Sequence, residues 1–331
     1  MKLIKKINRL KNSNCIIFDI DGVLIDVRKS YNSAIIKTVK YFLKKVIILN
    51  MKIDEEQLFS LIYSLRHTGG FNNDVDTSYA IILLLCYYYE FLKYKKIDLH
   101  GTLDQIIKKL DEKGINSLEE ILFKLSKHNK LINDQLLRVK NILNYPAPVG
   151  QSIIATIFDE FFYGPKMFFK RYNILPKYYF RTPLIDHDKI IIKKSTIETL
   201  SKKVDGKIGI ISGRSRLAAE YSLGKFLDYF NNDLCVFLED EKREYAKPNT
   251  FAIEKILTKV NDVQQIMYVG DAIEDLIMTR KAQEIYKLKF LFCGIYGCSI
   301  NPTKLIKNFK LRESEIIVKD VNQLPKILNK V

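Results

Sequence analysis

The chain has 331 residues, of which 47% are hydrophobic and 28% charged, a balance that excludes disorder and allows more than one globular domain. Its formal charge of +16 comes from lysines scattered along the whole length; without a basic stripe or a nucleic-acid-binding motif, nucleic acid is not the expected partner. Five cysteines (Cys15, Cys86, Cys235, Cys293, Cys298) follow no framework spacing, which fits reduced thiols and a cytoplasmic setting.

From the amino end, residues 1–14 are basic, but no long apolar segment or small-residue cleavage site follows, so no secretory signal is expected. Asn14 to Ile20 reads as a buried strand, since five of the six residues from Cys15 to Ile20 are apolar. Yet it ends by presenting two carboxylates, Asp19 and Asp21. Helical periodicity then recurs at Ser30 to Leu49, Asp54 to Arg66, Thr77 to Lys93, Leu103 to Leu110, Ser117 to Ser126, Asp134 to Ile142 and Ser152 to Phe162. Breaks between these helices are expected at Gly69 and Gly70, at Gly101, at Gly114, and at Pro146 with Pro148. Tyr79 to Leu92 is the most apolar stretch, but it is too short to cross a bilayer and contains Glu90.

After about residue 186 the pattern changes. Strands are expected at Lys207 to Ser212, Leu234 to Glu239, Gln265 to Gly270, Lys289 to Cys293 and Glu315 to Lys319, with helices at Arg216 to Leu227, Thr250 to Val260 and Ala272 to Ala282. Apolar strands separated by helices predict an α/β core, a Rossmann-like parallel sheet covered on both faces. The core is therefore assigned to 1–26 and 186–331, and an all-helical domain, 27–185, interrupts it after the first strand. In such a sheet, ligands sit at the carboxyl ends of the strands. That edge collects Asp19 and Asp21, then Ser212-Gly213-Arg214, then Lys247 in AKPNT, then Asp271 and Asp275.

Each piece alone has an ordinary explanation. Asp21-Gly22 is a turn signal, Ser212 a helix-cap candidate, Arg214 a solvated arginine, Lys247 one lysine among many with Pro248 as a possible first helical residue, and Asp271 with Asp275 a response to a helix dipole. Four such coincidences, in this order and all at strand ends, favour a site. FDIDGVL, IISGR, AKP and GDAIED resemble the four ordered motifs of the haloacid dehalogenase-like hydrolase superfamily. The intervening helices are similar to the large cap that one class of its members inserts.

The resemblance implies a phosphatase working through an aspartyl-phosphate. Asp19 is then the nucleophile, and Asp21 is general acid for the leaving alcohol and later general base for water. An attacking carboxylate and a phosphate repel by roughly 4 kcal/mol per pair of unit charges at about 4 Å and an effective dielectric near 20. The resemblance answers this with Mg²⁺ on Asp19, Asp271 and the backbone carbonyl of Asp21, with Asp275 as a further or outer ligand. Lys247 and Ser212 are assigned to the phosphoryl group; Gly22, Gly213 and Arg214 join them in binding the substrate. Substrate choice is assigned to the inserted domain, whose Gly69 to Asp74 turn offers Asn72 and Asn73 beside Arg66 and His67; an interhelical turn is the alternative there.

A carboxylate at position 21 separates this chain from the dehalogenases of the superfamily. The expected substrate is a small phosphorylated metabolite, with no membrane involved. A phosphomutase of the same fold, or from another class a nucleic-acid-associated or scaffold protein, are the alternatives.

Overall fold

A computed structural model of the chain describes residues 13–49, 51, 53–71, 73–92, 99–260 and 262–329. They form two compact units: residues up to Val27 together with those from Asp188 onward make one, and Arg28–His187 the other.

The first unit is built on a six-stranded sheet. Its strands are β1 (Cys15–Phe18), β4 (Ile208–Ser212), β5 (Cys235–Phe237), β6 (Gln265–Gly270), β7 (Lys289–Ile295) and β8 (Ile316–Val318). The order is β5-β4-β1-β6-β7-β8, and every pairing is parallel. The expected α/β parallel sheet is present. Alternation along each strand divides its side chains between two apolar layers. Ile16 and Phe18 of β1 join Met267, Val269, Leu291 and Cys293 on one face, while Cys15 and Ile17 join Ile266, Tyr268, Phe290 and Phe292 on the other.

Helices cover both layers. Ile197, Leu200, Ala219 and Leu223 pack on the first face; Ala252, Ile253, Leu276, Met278 and Phe309 pack on the second. This is why the strands read as continuous apolar runs instead of alternating ones. Two short strands escape sequence pattern: β2 (Ile25–Asp26) and β3 (Lys189–Ile190) pair antiparallel. At two residues each, they carry no periodicity.

The second unit consists of helices, with no paired ladder strand among its described residues. The helix Glu55–Arg66 starts at Asp54, whose carboxylate accepts from the Gln57 amide while the Gln57 side chain returns a bond to the Asp54 backbone, a capping box. Asp74–Leu92 is the central helix; every residue from Tyr79 to Tyr88 is buried. No described helix is long and apolar enough to cross a membrane. The expected break at Gly101 does not occur, because the residue lies inside the helix Leu99–Ile107. A helical glycine costs about 1 kcal/mol relative to alanine, which burial of Leu103, Ile106 and Ile107 offsets. Ser152 caps the helix Ile153–Tyr172, which is interrupted at Gly164 (φ 63°) ahead of Pro165.

Candidate active site

β1 is hydrogen-bonded on both sides, to β4 and to β6. The ladder continues one step past its last residue, with the Asp19 amide donating to the Val269 carbonyl at 2.9 Å. That bond places the buried Asp19 side chain at the carboxyl edge. The amide of Ile20 donates to Asp19 Oδ1 at 2.7 Å. The chain then turns sharply, the amides of Leu24 and Ile25 both donating to the Ile20 carbonyl at 2.8 and 3.0 Å. Gly22 takes φ +75° in this turn, and a Cβ there would lie 1.9 Å from Asp271 Oδ2. Asp21-Gly22 is thus both a turn and part of the edge: the left-handed backbone and the close carboxylate each demand glycine.

β6 delivers Asp271 directly after Gly270. Asp275 is the third residue of the helix Ile273–Tyr286, and its Oδ2 accepts the Ala272 amide at 3.2 Å. Lys247 completes the cluster, its Nζ 3.0 Å from Asp19 Oδ1 and 2.8 Å from Asp275 Oδ1. Pro248 is not the first helical residue, a correction to the sequence reading; the Lys247–Pro248 bond is cis and the helix begins at Phe251. The Tyr268 hydroxyl, on β6, lies within hydrogen-bond reach of both Asp275 Oδ1, at 3.2 Å, and the Ile211 carbonyl, at 3.1 Å, sharing its one proton between them. It braces Asp275 from below, a role no motif announces. One carboxylate oxygen each from Asp19, Asp271 and Asp275 lies within 4.8 Å of the others.

Ser212 ends β4 and is fully buried. It caps no helix; that part falls to Ser215, whose Oγ accepts the Ala218 amide at 3.1 Å. The Ser212 hydroxyl instead accepts the Arg214 amide at 3.3 Å. Gly213 is exposed, and a Cβ there would meet nothing within 4 Å. Arg214 is not a solvated arginine: its side chain has 0% exposure. Its Nε donates to Asp21 Oδ1 at 2.7 Å, and its Nη1 donates to Asp188 Oδ2 at 2.7 Å and to Ser222 Oγ at 2.8 Å.

Gathering these charges perturbs them. Burial pushes Asp19 up to about 7; Lys247 pulls the other way, and Asp275 and Asp21 add to the rise. Burial, then Asp19 and Asp275, also lift Asp271 well above the ordinary carboxylate range. Burial alone would lower Lys247, but Asp19 and Asp275 outweigh it and hold the ammonium well above the usual lysine value.

The remaining candidates fall in the helical unit or outside the described residues. Asn72 lies outside them. Asn73 is exposed, and its Oδ1 accepts the amides of Val75 and Asp76 at 2.9 and 3.1 Å, capping the helix Asp74–Leu92. Arg66 bonds Asn32 at 3.1 Å and Asp74 at 2.5 Å.

A family model described as haloacid dehalogenase-like hydrolase matches residues 163–283, a span holding Ser212, Lys247, Asp271 and Asp275. No curated protein matches the sequence. Among solved structures, a structural-genomics target determined by X-ray diffraction is similar with a TM-score of 0.62 at 17% identity, over 96% of this chain and 98% of that one. A phosphatase from Thermococcus thioreducens is similar with a TM-score of 0.57 at 23% identity, over 96% of this chain and 99% of that one. Both likenesses are of fold. With the parallel sheet and the four motifs gathered along one of its edges, the match over residues 163–283 supports the resemblance to the haloacid dehalogenase-like hydrolases.

Proposed function

We propose that the chain is a Mg²⁺-dependent phosphomonoester hydrolase that acts on a small phosphorylated metabolite through an aspartyl-phosphate on Asp19. The observation that carries this reading is the Lys247 ammonium held between Asp19 and Asp275, with Asp271 beside them. A nucleophilic carboxylate must face an anionic phosphate, and a fixed cation at its flank lowers that barrier without reorganising.

Asp19 attacks phosphorus in line with the leaving oxygen. Lys247 orients the attacking carboxylate and holds a phosphoryl oxygen, and Ser212 donates a hydrogen bond to the same group. Gly213, with open space where a side chain would stand, lets the phosphoryl group approach the backbone. Asp21 gives its proton to the departing alcohol, then takes one from the water that cleaves the phosphoenzyme. The inserted helices are assigned the choice of substrate, by resemblance. A cytoplasmic setting suits the five free thiols.

The donor set fits Mg²⁺. Asp19, Asp271 and Asp275 supply hard oxygen ligands at one point, and Gly22 clears the space beside Asp271. Three carboxylates against one ammonium leave an excess of negative charge for a divalent ion. When bound there by these residues, Mg²⁺ supplies charge neutralisation between nucleophile and phosphate.

The test is direct. Purified protein releases phosphate from 4-nitrophenyl phosphate in Mg²⁺, EDTA stops it, and Asp19→Asn reduces it to background. Activity surviving that substitution would remove Asp19 as nucleophile.

A further inference from the structure

Arg214 has the largest side chain among those fully buried. Its guanidinium bonds to Asp188 and Ser222 differ in kind from its bond to Asp21. On one side, Asp188, whose side chain is 4% exposed, and Ser222 share Nη1. Ser222 also donates to Asp188 Oδ2 at 2.7 Å, closing a triangle. On the other side, Nε reaches Asp21, whose side chain is 29% exposed. A planar fork fixed at one end presents its other donor in a single direction. An aspartate side chain in contact with solvent, by contrast, has several rotamers open to it.

We infer that Arg214, anchored by Asp188 and Ser222, is a positioning residue that aims the Asp21 carboxyl group and so sets how well the enzyme expels poor leaving groups. The inference rests on the phosphatase reading above. The Arg214 side chain is enclosed, with 0% exposure, so it works through Asp21. As the Asp19–phosphorus bond forms and the bond from phosphorus to the leaving oxygen breaks, Asp21 passes its proton to that oxygen. The transfer requires the carboxyl group within hydrogen-bond reach and in line. Asp188 is 167 positions away from Asp21 along the chain and belongs to none of the four motifs. It reaches the site through this relay.

The experiment uses aryl phosphates of one shape and graded leaving-group acidity, from phenyl phosphate to 2,4-dinitrophenyl phosphate. It reads kcat/KM, which reports the step in which the aryl oxide leaves. Asp188→Asn keeps the volume and removes the charge. It is expected to lower kcat/KM about tenfold or more on phenyl phosphate and under about threefold on 2,4-dinitrophenyl phosphate, a selective part of the roughly 10²–10⁴-fold that a positioned acid contributes. Ser222→Ala should show the same tilt more weakly. In an Asp21→Asn background, Asp188→Asn should cost no more than about twofold at either end, because residues acting as one unit are not additive.

An equal loss across the series, or losses that multiply in the Asp21→Asn background, overturns the inference. Thermal melting checks the fold. If Asp188→Asn does not fold, Ser222→Ala decides alone: a tilt supports the relay and a flat response overturns it. A wild-type protein that releases phosphate from no member of the series removes the phosphatase reading itself, a different result from an active enzyme with a flat response.

Discussion

At the carboxyl edge of the sheet, two cations each stand between two aspartates. Lys247 bridges Asp19 and Asp275 at 3.0 and 2.8 Å, and Arg214 bridges Asp21 and Asp188 at 2.7 Å on each side. The Lys247 side chain keeps 12% exposure beside three carboxylates that can share an ion. That of Arg214 keeps none and spends its fork inside the protein. A compact ammonium on a flexible stem suits a charge that must follow a reacting phosphoryl group; a rigid guanidinium suits a strut. On the proposed reading, the same carboxylate–cation–carboxylate pattern serves chemistry in one place and geometry in the other.

The comparison breaks most visibly under substitution of the strut. Arg214→Met removes the guanidinium from the buried Asp188 carboxylate, so stability should fall by roughly 3–5 kcal/mol, read from the urea midpoint and slope. A loss below about 1 kcal/mol would mean that the pair is solvated in solution, and the contrast with Lys247 would disappear. Lys247→Met should act the other way round. Activity should fall about 10²–10³-fold, the scale of removing one oriented donor from a reacting oxyanion. The fold should hold in Mg²⁺, because a divalent ion among Asp19, Asp271 and Asp275 would stand in for the lost ammonium. Lys247→Arg should not restore the rate, since a planar fork cannot replace a point charge between two oxygens. A collapse in stability with little change in turnover would mark Lys247 as a second strut.

How much of this was legible beforehand follows from the range of each signal. β1, β4 and β6 were readable because burial on both faces writes itself as an unbroken apolar run, CIIF in β1. The aspartates, serine and lysine were readable because the fold places strand ends together, so their chemistry converges although their positions do not. Arg214 misled because burial of an arginine is decided by its partners. Asp21 lies 193 positions away and Asp188 26, and nothing local to IISGR names either. Tyr268 was hidden for the same reason, as its hydroxyl reaches across to Ile211 on β4. The strands β2 and β3 are shorter than any period that could reveal them.

Gly22 joins the two triads and gives a finer test. Gly22→Ala sets a Cβ against Asp271 Oδ2 and strains a backbone at φ +75°. Asp271 must move away, so the Mg²⁺ concentration for half-maximal activity should rise about tenfold, the lower end of what displacing metal-supporting groups costs. An unchanged Mg²⁺ requirement would indicate that Asp271 is not a ligand, whatever happens to Tm.

The smallest effect separates two readings of one residue in the helical unit. Asn73 caps the helix Asp74–Leu92 through its Oδ1, and it was also a candidate for substrate contact. A lost cap costs about 1 kcal/mol, so Asn73→Ala should lower stability by about that much in urea melts. Asn73→Asp restores a capping oxygen and should recover it, helped by a negative charge at the helix amino end. The carboxamide N–H donors are lost in both variants. If KM for a phosphorylated substrate rises equally in both while only alanine lowers stability, Asn73 contacts the substrate as well as capping. If neither KM moves, Asn73 serves the helix alone.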